Sequence, residues 1–302
     1  MSRRKKTSLS GLSPAMKAVV LLLTALVLAA GMYLAGDLVE GPTAPSAIAE
    51  ADFAVHFIDV GQGDAILLAS GNQHMLVDAG TGKDSAALID FIKARGVGLD
   101  GLDLVVATHP HSDHIGGMAD VLDAFAVDVF LMPEAMHTTA TFEKMLDAVE
   151  RNGCDARYGA AGQMYRLGGA TVTVLSPPEG EFEGSSLNNS SIVLAVEMDG
   201  VRMLLMGDAE GEVERAVIDA GWGDFDLLKT GHHGSNTSSS QGFLDAVNPQ
   251  HVVISCGAGN DYGHPHPEVL ARLNGTRIWR TDLGGTVTAI IEGGELHVST
   301  AR

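Results

Sequence analysis

The chain has 302 residues, 45% hydrophobic and 19% charged, which is ample for a buried core and excludes a disordered polymer. Two cysteines, Cys154 and Cys256, exclude a disulfide framework and a thiolate zinc cage. The net charge of −19 is uneven: residues 1–50 hold five bases and three acids, leaving 14 bases and 35 acids for the remainder. A body that acidic repels polyanions at long range, so a phosphate-bearing substrate needs a local cation.

Residues 1–17, with Arg3-Arg4-Lys5-Lys6, read as a basic cytoplasmic N-terminus. Residues 18–36 are free of charge. As a helix at roughly 1.5 Å per residue they would reach about 28 Å, close to one hydrocarbon thickness of a bilayer. The basic flank stays on the cytoplasmic side, so the stretch is either a single-pass membrane anchor or a signal peptide cleaved near Ala49. Both readings place the rest of the chain on the extracytoplasmic face or in secreted form. Residues 37–50 then form a linker, and 51–302, with no second linker, form one domain.

Within that domain, strands are expected at Phe53–Phe57, Ala65–Ala69 and His74–Val77, joined by the turns GQGD and Gly71-Asn72. A helix follows over Ser85–Arg95, then the apolar strand Leu102–Ala107, which runs directly into THPHSDH. Ile115, Met118, Leu122 and Phe125 continue at helical period, before a strand at Val127–Met132 and a helix at Thr141–Arg151. Ala170–Leu175, Ser191–Met198 and Val201–Met206 are strands, the last two turning at Asp199-Gly200. The alternation continues through helix Glu210–Ala220, strand Asp226–Lys229, helix Gly242–Ala246, strand His251–Ser255 and helix Pro267–Leu273, with three closing strands around 276–299. Two mixed sheets between outer helices would use this order.

The chemistry concentrates where strands end. His109, His111, Asp113 and His114 occupy one short stretch after a buried strand. Two histidines at i, i+2 can aim at one ion, and Asp113 and His114 can reach a second. Imidazole with carboxylate suits zinc, manganese or iron. Gly116-Gly117 allow a close backbone approach beside the cluster.

HPHSDH at 109–114 is the H-x-H-x-D-H signature, and the chain from about residue 53 onward resembles the metallo-β-lactamase superfamily. That resemblance implies an α/β fold, the four-layer αββα sandwich, here preceded by one N-terminal apolar helix, and two divalent metal ions, zinc or manganese. It implies that Asp78 in LVDAG orients a histidine ligand, and that Asp208 in LLMGDAE bridges both metals. DLLKTGHHGS at 226–235 would supply another histidine to the second metal. His232 and His233 are both candidates; the family's Gly-His order favours His232, with its neighbour on substrate. Asp208 has a structural alternative as a helix N-cap.

One departure matters. The family's further histidine before the bridging aspartate is missing, and Asn188-Asn189-Ser190-Ser191 stands at its position; the sole histidine between 115 and 207 is His137. Asn189 is the candidate substitute there, an amide oxygen tolerated by harder ions; a plain polar turn is the alternative.

FIDVGQGDAILL at 57–68, NNSSIVL, LKTGHHGS and GHPHPEVLARL at 263–273 narrow the resemblance to the extracytoplasmic hydrolase domain of ComEC-type DNA-uptake proteins. It implies that Asp59, Gln62 and Asp64 line the cleft rim, though both aspartates can equally form turns. His264 or His266 would protonate a leaving oxygen or hold a phosphate, Asp113 or Asp208 would orient the attacking hydroxide, and Ser235 lies in a polar loop beside the metal histidines. The expected function is a metal-dependent phosphodiesterase or nuclease, acting outside the cytoplasmic membrane through a metal-bridging hydroxide, with single-stranded DNA among its candidate substrates. Against DNA stand the acidic body and 5% aromatic content; a nuclease would rely on a local groove with Lys229 or Arg202. The alternatives are a hydrolase of small esters, lactams or cell-wall phosphodiesters, and a non-catalytic binding protein on the same fold. No obligate protein partner is inferred.

Overall fold

The computed structural model describes residues 53–98, 101–180 and 186–302. The basic N-terminus, the apolar stretch 18–36 and the linker lie outside the described residues. Among the described residues, no helix is long and apolar enough to cross a membrane.

The first half of the domain comprises β1 (Phe53–Phe57), β2 (Ile66–Ser70), β3 (Gln73–Val77), α1 (Ser85–Ala94), β4 (Leu102–Val106), α2 (Ser112–Ile115), α3 (Met118–Ala124), β5 (Val127–Met132), α4 (Ala140–Asn152) and β6 (Asp155–Tyr158). Next come β7 (Met164–Leu167), β8 (Ala170–Ser176), β9 (Val193–Met198), β10 (Val201–Leu205), α5 (Gly211–Asp219), β11 (Leu227–Lys229), α6 (Gln241–Val247) and β12 (His251–Ile254). α7 (Pro267–Arg272), β13 (Arg277–Arg280), α8 (Thr281–Gly284), β14 (Val287–Glu292) and β15 (Glu295–Thr300) close the chain. One sheet has the order β15-β14-β1-β2-β3-β4-β5-β6 and the other β13-β12-β11-β10-β9-β8-β7.

Side-chain alternation makes the layers. Phe53, Val55 and Phe57, with Leu104 and Val106, face Val172, Val174, Leu194, Val196, Met203 and Leu205 in a core between the two sheets. The opposite-facing Leu67, Leu76, Val105 and Phe130 pack under Leu88 and Ile92 of α1, Met118 and Leu122 of α3 and Phe142 and Met145 of α4. On the far side, Val193, Leu204, Leu228 and Val252 pack against Val213 and Val217 of α5, Phe243 and Val247 of α6 and Val269 of α7. The chain is therefore a mixed α/β sandwich of two sheets between helical layers.

β3 to β6 run parallel, as do β10 to β13, so the C-terminal ends of β3, β4, β10, β11 and β12 can each contribute a loop. Open parallel sheets bind ligands beyond the carboxyl ends of their strands. The helical period expected from Ile115 to Phe125 is broken into α2 and α3 at Gly116-Gly117. A Cβ on Gly116 would lie 2.3 Å from the Thr81 carbonyl, and one on Gly117 would lie 2.4 Å from that of Ala79. The two glycines let the loop after β3 press against the histidine-rich loop. Edge strands β6 and β7 are not anticipated from pattern: all four β6 side chains are exposed, so no alternation marks it, and β7 is only four residues long, with Leu167 its one fully buried side chain.

Candidate metal centre

The loop after β4 begins with Thr108, which locks onto the loop after β3. Its backbone N–H donates to Asp78 Oδ1 at 2.8 Å and its hydroxyl to Oδ2 at 2.7 Å. The same Asp78 oxygen holds His114 Nδ1 at 2.7 Å, leaving Nε2 free to face the cleft. Asp78 is thus placed behind a histidine. Thr108, absent from the expected set, is the hinge of this arrangement.

Asp208 follows β10, and its two oxygens serve two groups. Oδ1 lies 3.2 Å from His114 Nε2 and 3.4 Å from His233 Nε2, and Asp113 Oδ2 is 3.3 Å from the same His233 nitrogen. Oδ2 lies 3.7 Å from His109 Nε2, which is 3.0 Å from His111 Nδ1. Ligand atoms about 2.0–2.1 Å from one tetrahedral ion sit about 3.3 Å apart, which is the spacing found here.

Three observations show that the donor set fits divalent cations. Asp208 Oδ1 is buried with no hydrogen-bond partner. Ring nitrogens of His114 and His233 face each other at 3.2 Å, with at most one proton able to lie between them. Donor atoms of Asp64, His114, Asp208 and His233 all lie within 4.8 Å of one another.

The electrostatics agree. Burial and neighbouring His114 hold His109 well below the ordinary imidazole range, so its ring is neutral, the form that can hold a cation. Burial disfavours a charged His114, but Asp208, Asp78 and Asp113 outweigh it and push that ring well above its usual value. Burial likewise opposes ionisation of Asp208, yet His114 and His233 carry it well below the usual carboxylate range. The carboxylates call for positive charge at the place where the imidazoles converge.

The two adjacent histidines separate in role. His233 is buried, and its Nδ1 donates to the Ser255 carbonyl at 3.0 Å, so Nε2 is the nitrogen offered to Asp113 and Asp208. It is therefore His233, not the His232 favoured by residue order, that faces the second group. The left-handed turn at 231–234 sets this, which residue order does not encode.

Other expected residues are differently placed. Asn189 accepts the Glu210 N–H through Oδ1 at 2.9 Å and donates to Glu212 Oε2 at 3.3 Å, so its amide oxygen is used within the loop. Asn188 has the buried, unpartnered oxygen and lines the cleft. Asp59 forms a turn with Gly61 N–H at 3.3 Å and pairs with Arg302 at 3.4 Å, away from the histidines. Asp64 is not on the rim: it is buried and pairs with Lys229 Nζ at 2.8 Å, 3.6 Å behind His233 Nδ1. Lys229 is consequently withdrawn from any groove. Arg202 is also engaged, with Glu197 and the carbonyls of Trp222 and Asp224, at the start of β10 and not at its metal-facing end. His266 Nδ1 accepts the Asn236 N–H at 3.0 Å, and Ser235 bonds Thr237 at 3.1 Å; both brace the loop.

An open cleft of about 350 Å³ lies over the site, lined by Asp113, Asp208 and His232, with Gln62, His137, Asn188 and Tyr262 among its other walls. Gln62 also accepts the Gly257 N–H at 3.1 Å. The ring centroid of His137, the sole histidine between 115 and 207, lies 6.0 Å from that of His111. His264 stacks at 5.7 Å beneath Tyr262, which is 67% exposed, and its ring is 5.5 Å from that of His232. Burial, with His233, His232 and His266 nearby, lowers His264 to about 4, so it is neutral at pH 7.

The metallo-beta-lactamase superfamily model matches residues 58–258, two thirds of the chain and nearly every loop described above. The chain belongs to that superfamily. ComE operon protein 3 of Bacillus subtilis is 32% identical over 254 residues, covering 77% of this chain and 32% of that protein. Competence protein ComA of Neisseria gonorrhoeae is 32% identical over 249 residues, covering 80% of this chain and 33% of that protein. This superfamily member thus spans about a third of the length of those curated relatives. In fold it is similar to YhfI of Bacillus subtilis, with a TM-score of 0.54 at 13% identity, covering 82% of this chain and all of that one.

Proposed function

We propose that this chain is a metal-dependent phosphodiester hydrolase that works outside the cytoplasmic membrane on single-stranded DNA or a similarly flexible phosphodiester. The observation that carries the reading is Asp208, whose two oxygens face two separate sets of imidazole and carboxylate donors beneath an open cleft. Two divalent ions, when bound there, would supply a water ionised near neutral pH and charge neutralisation for a phosphoryl oxygen.

The chain's own residues supply the rest. Asp208 and Asp113 present carboxylate oxygens at the cleft and can orient the attacking water by accepting a hydrogen bond from its O–H. Neutral His264 is suited to hold a phosphoryl oxygen through its N–H; with its value lowered to about 4 it is not poised to give up a proton at neutral pH. No lysine or arginine is among the described residues lining the cleft. A substrate whose recognition depends on a carboxylate remote from the reacting bond, such as a lactam, would find no cation there. A phosphodiester carries its single charge at the reacting centre, where the metals would sit.

Tyr262, two-thirds exposed and stacked on His264, offers a face on which a base could stack without sequence preference. The similarity to a protein named for competence agrees with DNA as the polymer. The apolar stretch 18–36 would provide the membrane attachment or export signal.

The test is to offer the full chain, with manganese or zinc, an oligothymidylate, bis-p-nitrophenyl phosphate and nitrocefin. Cleavage of the phosphodiesters, abolished in Asp208→Asn, is expected. Cleavage of nitrocefin alone would overturn the reading.

A further inference from the structure

Each oxygen of Asp208 faces two histidines, but Asp113 adds a third donor on the Oδ1 side, whereas His109 and His111 stand without one on the Oδ2 side, where Asn188-Asn189 occupies the segment in which the family resemblance places a histidine. We propose that His232, oriented by Glu210, completes the first metal's shell and so replaces that histidine from a different loop. The inference rests on the metal-dependent reading above.

The backbone at 232–233 is held in an unusual conformation. His232 has φ 49°, ψ 45° and His233 has φ 54°, ψ 25°, two consecutive non-glycine residues in the left-handed region. Each such residue costs roughly 1–2 kcal/mol, and such conformations persist where surrounding structure holds them. The turn is held by the His232 N–H on the Gly207 carbonyl at 3.1 Å, one residue before Asp208, and by the Ser235 N–H on the His232 carbonyl at 2.8 Å. It brings both adjacent rings onto one carboxylate. His233 Nε2 lies 3.4 Å from Asp208 Oδ1, and His232 Nε2 lies 3.8 Å from Oδ2, the oxygen that also faces His109.

A carboxylate stands behind the His232 ring. Glu210 Oε1 is 3.2 Å from His232 Nδ1, so the carboxylate draws the ring proton to Nδ1 and leaves Nε2 with its lone pair toward the cleft. Asp78 does the same for His114. Glu210 is fixed in turn: Asn188 Nδ2 donates to Oε1 at 3.2 Å, Ser186 Oγ to Oε2 at 3.1 Å, and Asn189 Oδ1 takes its backbone N–H. The asparagine segment thus builds the support for a histidine that arrives from the loop after β11. With its side chain 24% exposed, His232 also borders the cleft, and a contact to substrate alone is the competing role.

The test uses the metal-stripped full chain titrated with cobalt(II) alone, followed calorimetrically and by the visible absorption that reports coordination. The wild type should take up two equivalents. His232→Ala should keep one tight equivalent and bind the other at least tenfold more weakly, with a changed absorption spectrum. Glu210→Gln, which keeps His232, should retain both equivalents with one weakened about 10–100-fold, the effect seen when a ligand's supporting partner is lost. Two equivalents of unchanged affinity and spectrum in both variants would overturn the proposal and assign His232 to substrate. Uptake of one ion by the wild type would overturn it as well, and uptake of none would overturn the metal-dependent reading itself.

Discussion

Replacing Lys229 by methionine should destabilise the fold by about 3–5 kcal/mol, although the residue is shut off from solvent and from the cleft. Its ammonium lies 2.8 Å from Asp64 Oδ2, with both side chains at most 1% exposed, and it also donates to the Thr230 carbonyl at 2.9 Å. Two unit charges at that separation attract by about 6 kcal/mol at an effective dielectric of 20, which offsets a desolvation of several kcal/mol per ion. The net contribution of the intact pair is therefore small, whereas removing one member leaves a buried charge without its counterion. Asp64→Asn alone should lose a comparable amount, and the double variant should recover at least about 2 kcal/mol of the summed loss. Urea unfolding of the metal-free chain, followed by circular dichroism across this cycle, measures it. The pair also anchors the site: the Asp64 N–H binds the Asp113 carbonyl at 3.2 Å, and the Gly80 N–H binds that of Asp64 at 2.8 Å. Additive losses across the cycle, or a Lys229→Met variant within about 1 kcal/mol of wild type, would refute the reasoning.

Three further outcomes are expected. Asp78→Asn should weaken metal binding about 10–100-fold by releasing His114, as read by titration of the stripped protein. His56 is buried against Phe91 with Nε2 unpartnered, and burial, followed by the Arg95 cation, lowers it from 6.5 to about 4. Its depressed value means that no stability is lost above pH 6.5, and about 3 kcal/mol is lost as pH falls from 6.5 to 4, because the unfolded chain takes up the proton first. His56→Gln should flatten that limb of the stability–pH curve, measured by denaturant midpoints on the metal-free chain. Tyr262→Ala should raise KM for oligothymidylate by about 5–150-fold, the range of one stacked base, and act far less on an abasic polymer of equal length; equal effects on both would remove the stacking role.

The order of strands and helices is legible because most strands, covered on both faces, are short continuous apolar runs bounded by turn residues, while the longer helices bury one stripe at a period near 3.6. Edge strand β6, with all four side chains exposed, escapes that logic, and four-residue β7 fully buries only Leu167. The HPHSDH loop and Asp208 are equally legible, since each sits at the end of an apolar strand and carries its chemistry in its own residue types.

What local residues could not determine is which nitrogen or oxygen faces which neighbour. Asp64 and Lys229 are far apart in sequence, and each alone reads as a rim or groove residue; only stacking one sheet on the other makes them a buried pair. The same holds for His232 and His233, adjacent in the chain, whose division between Asp208's two oxygens follows from two left-handed residues held by the Gly207 carbonyl. His137 reaches the cleft by the same route, through packing across the loop after β5. The sequence therefore determined the chemical inventory and the strand ends that carry it. The tertiary structure decided the pairing, because hydrogen bonds and desolvation act between side chains that only the closed sandwich brings within a few ångströms of one another.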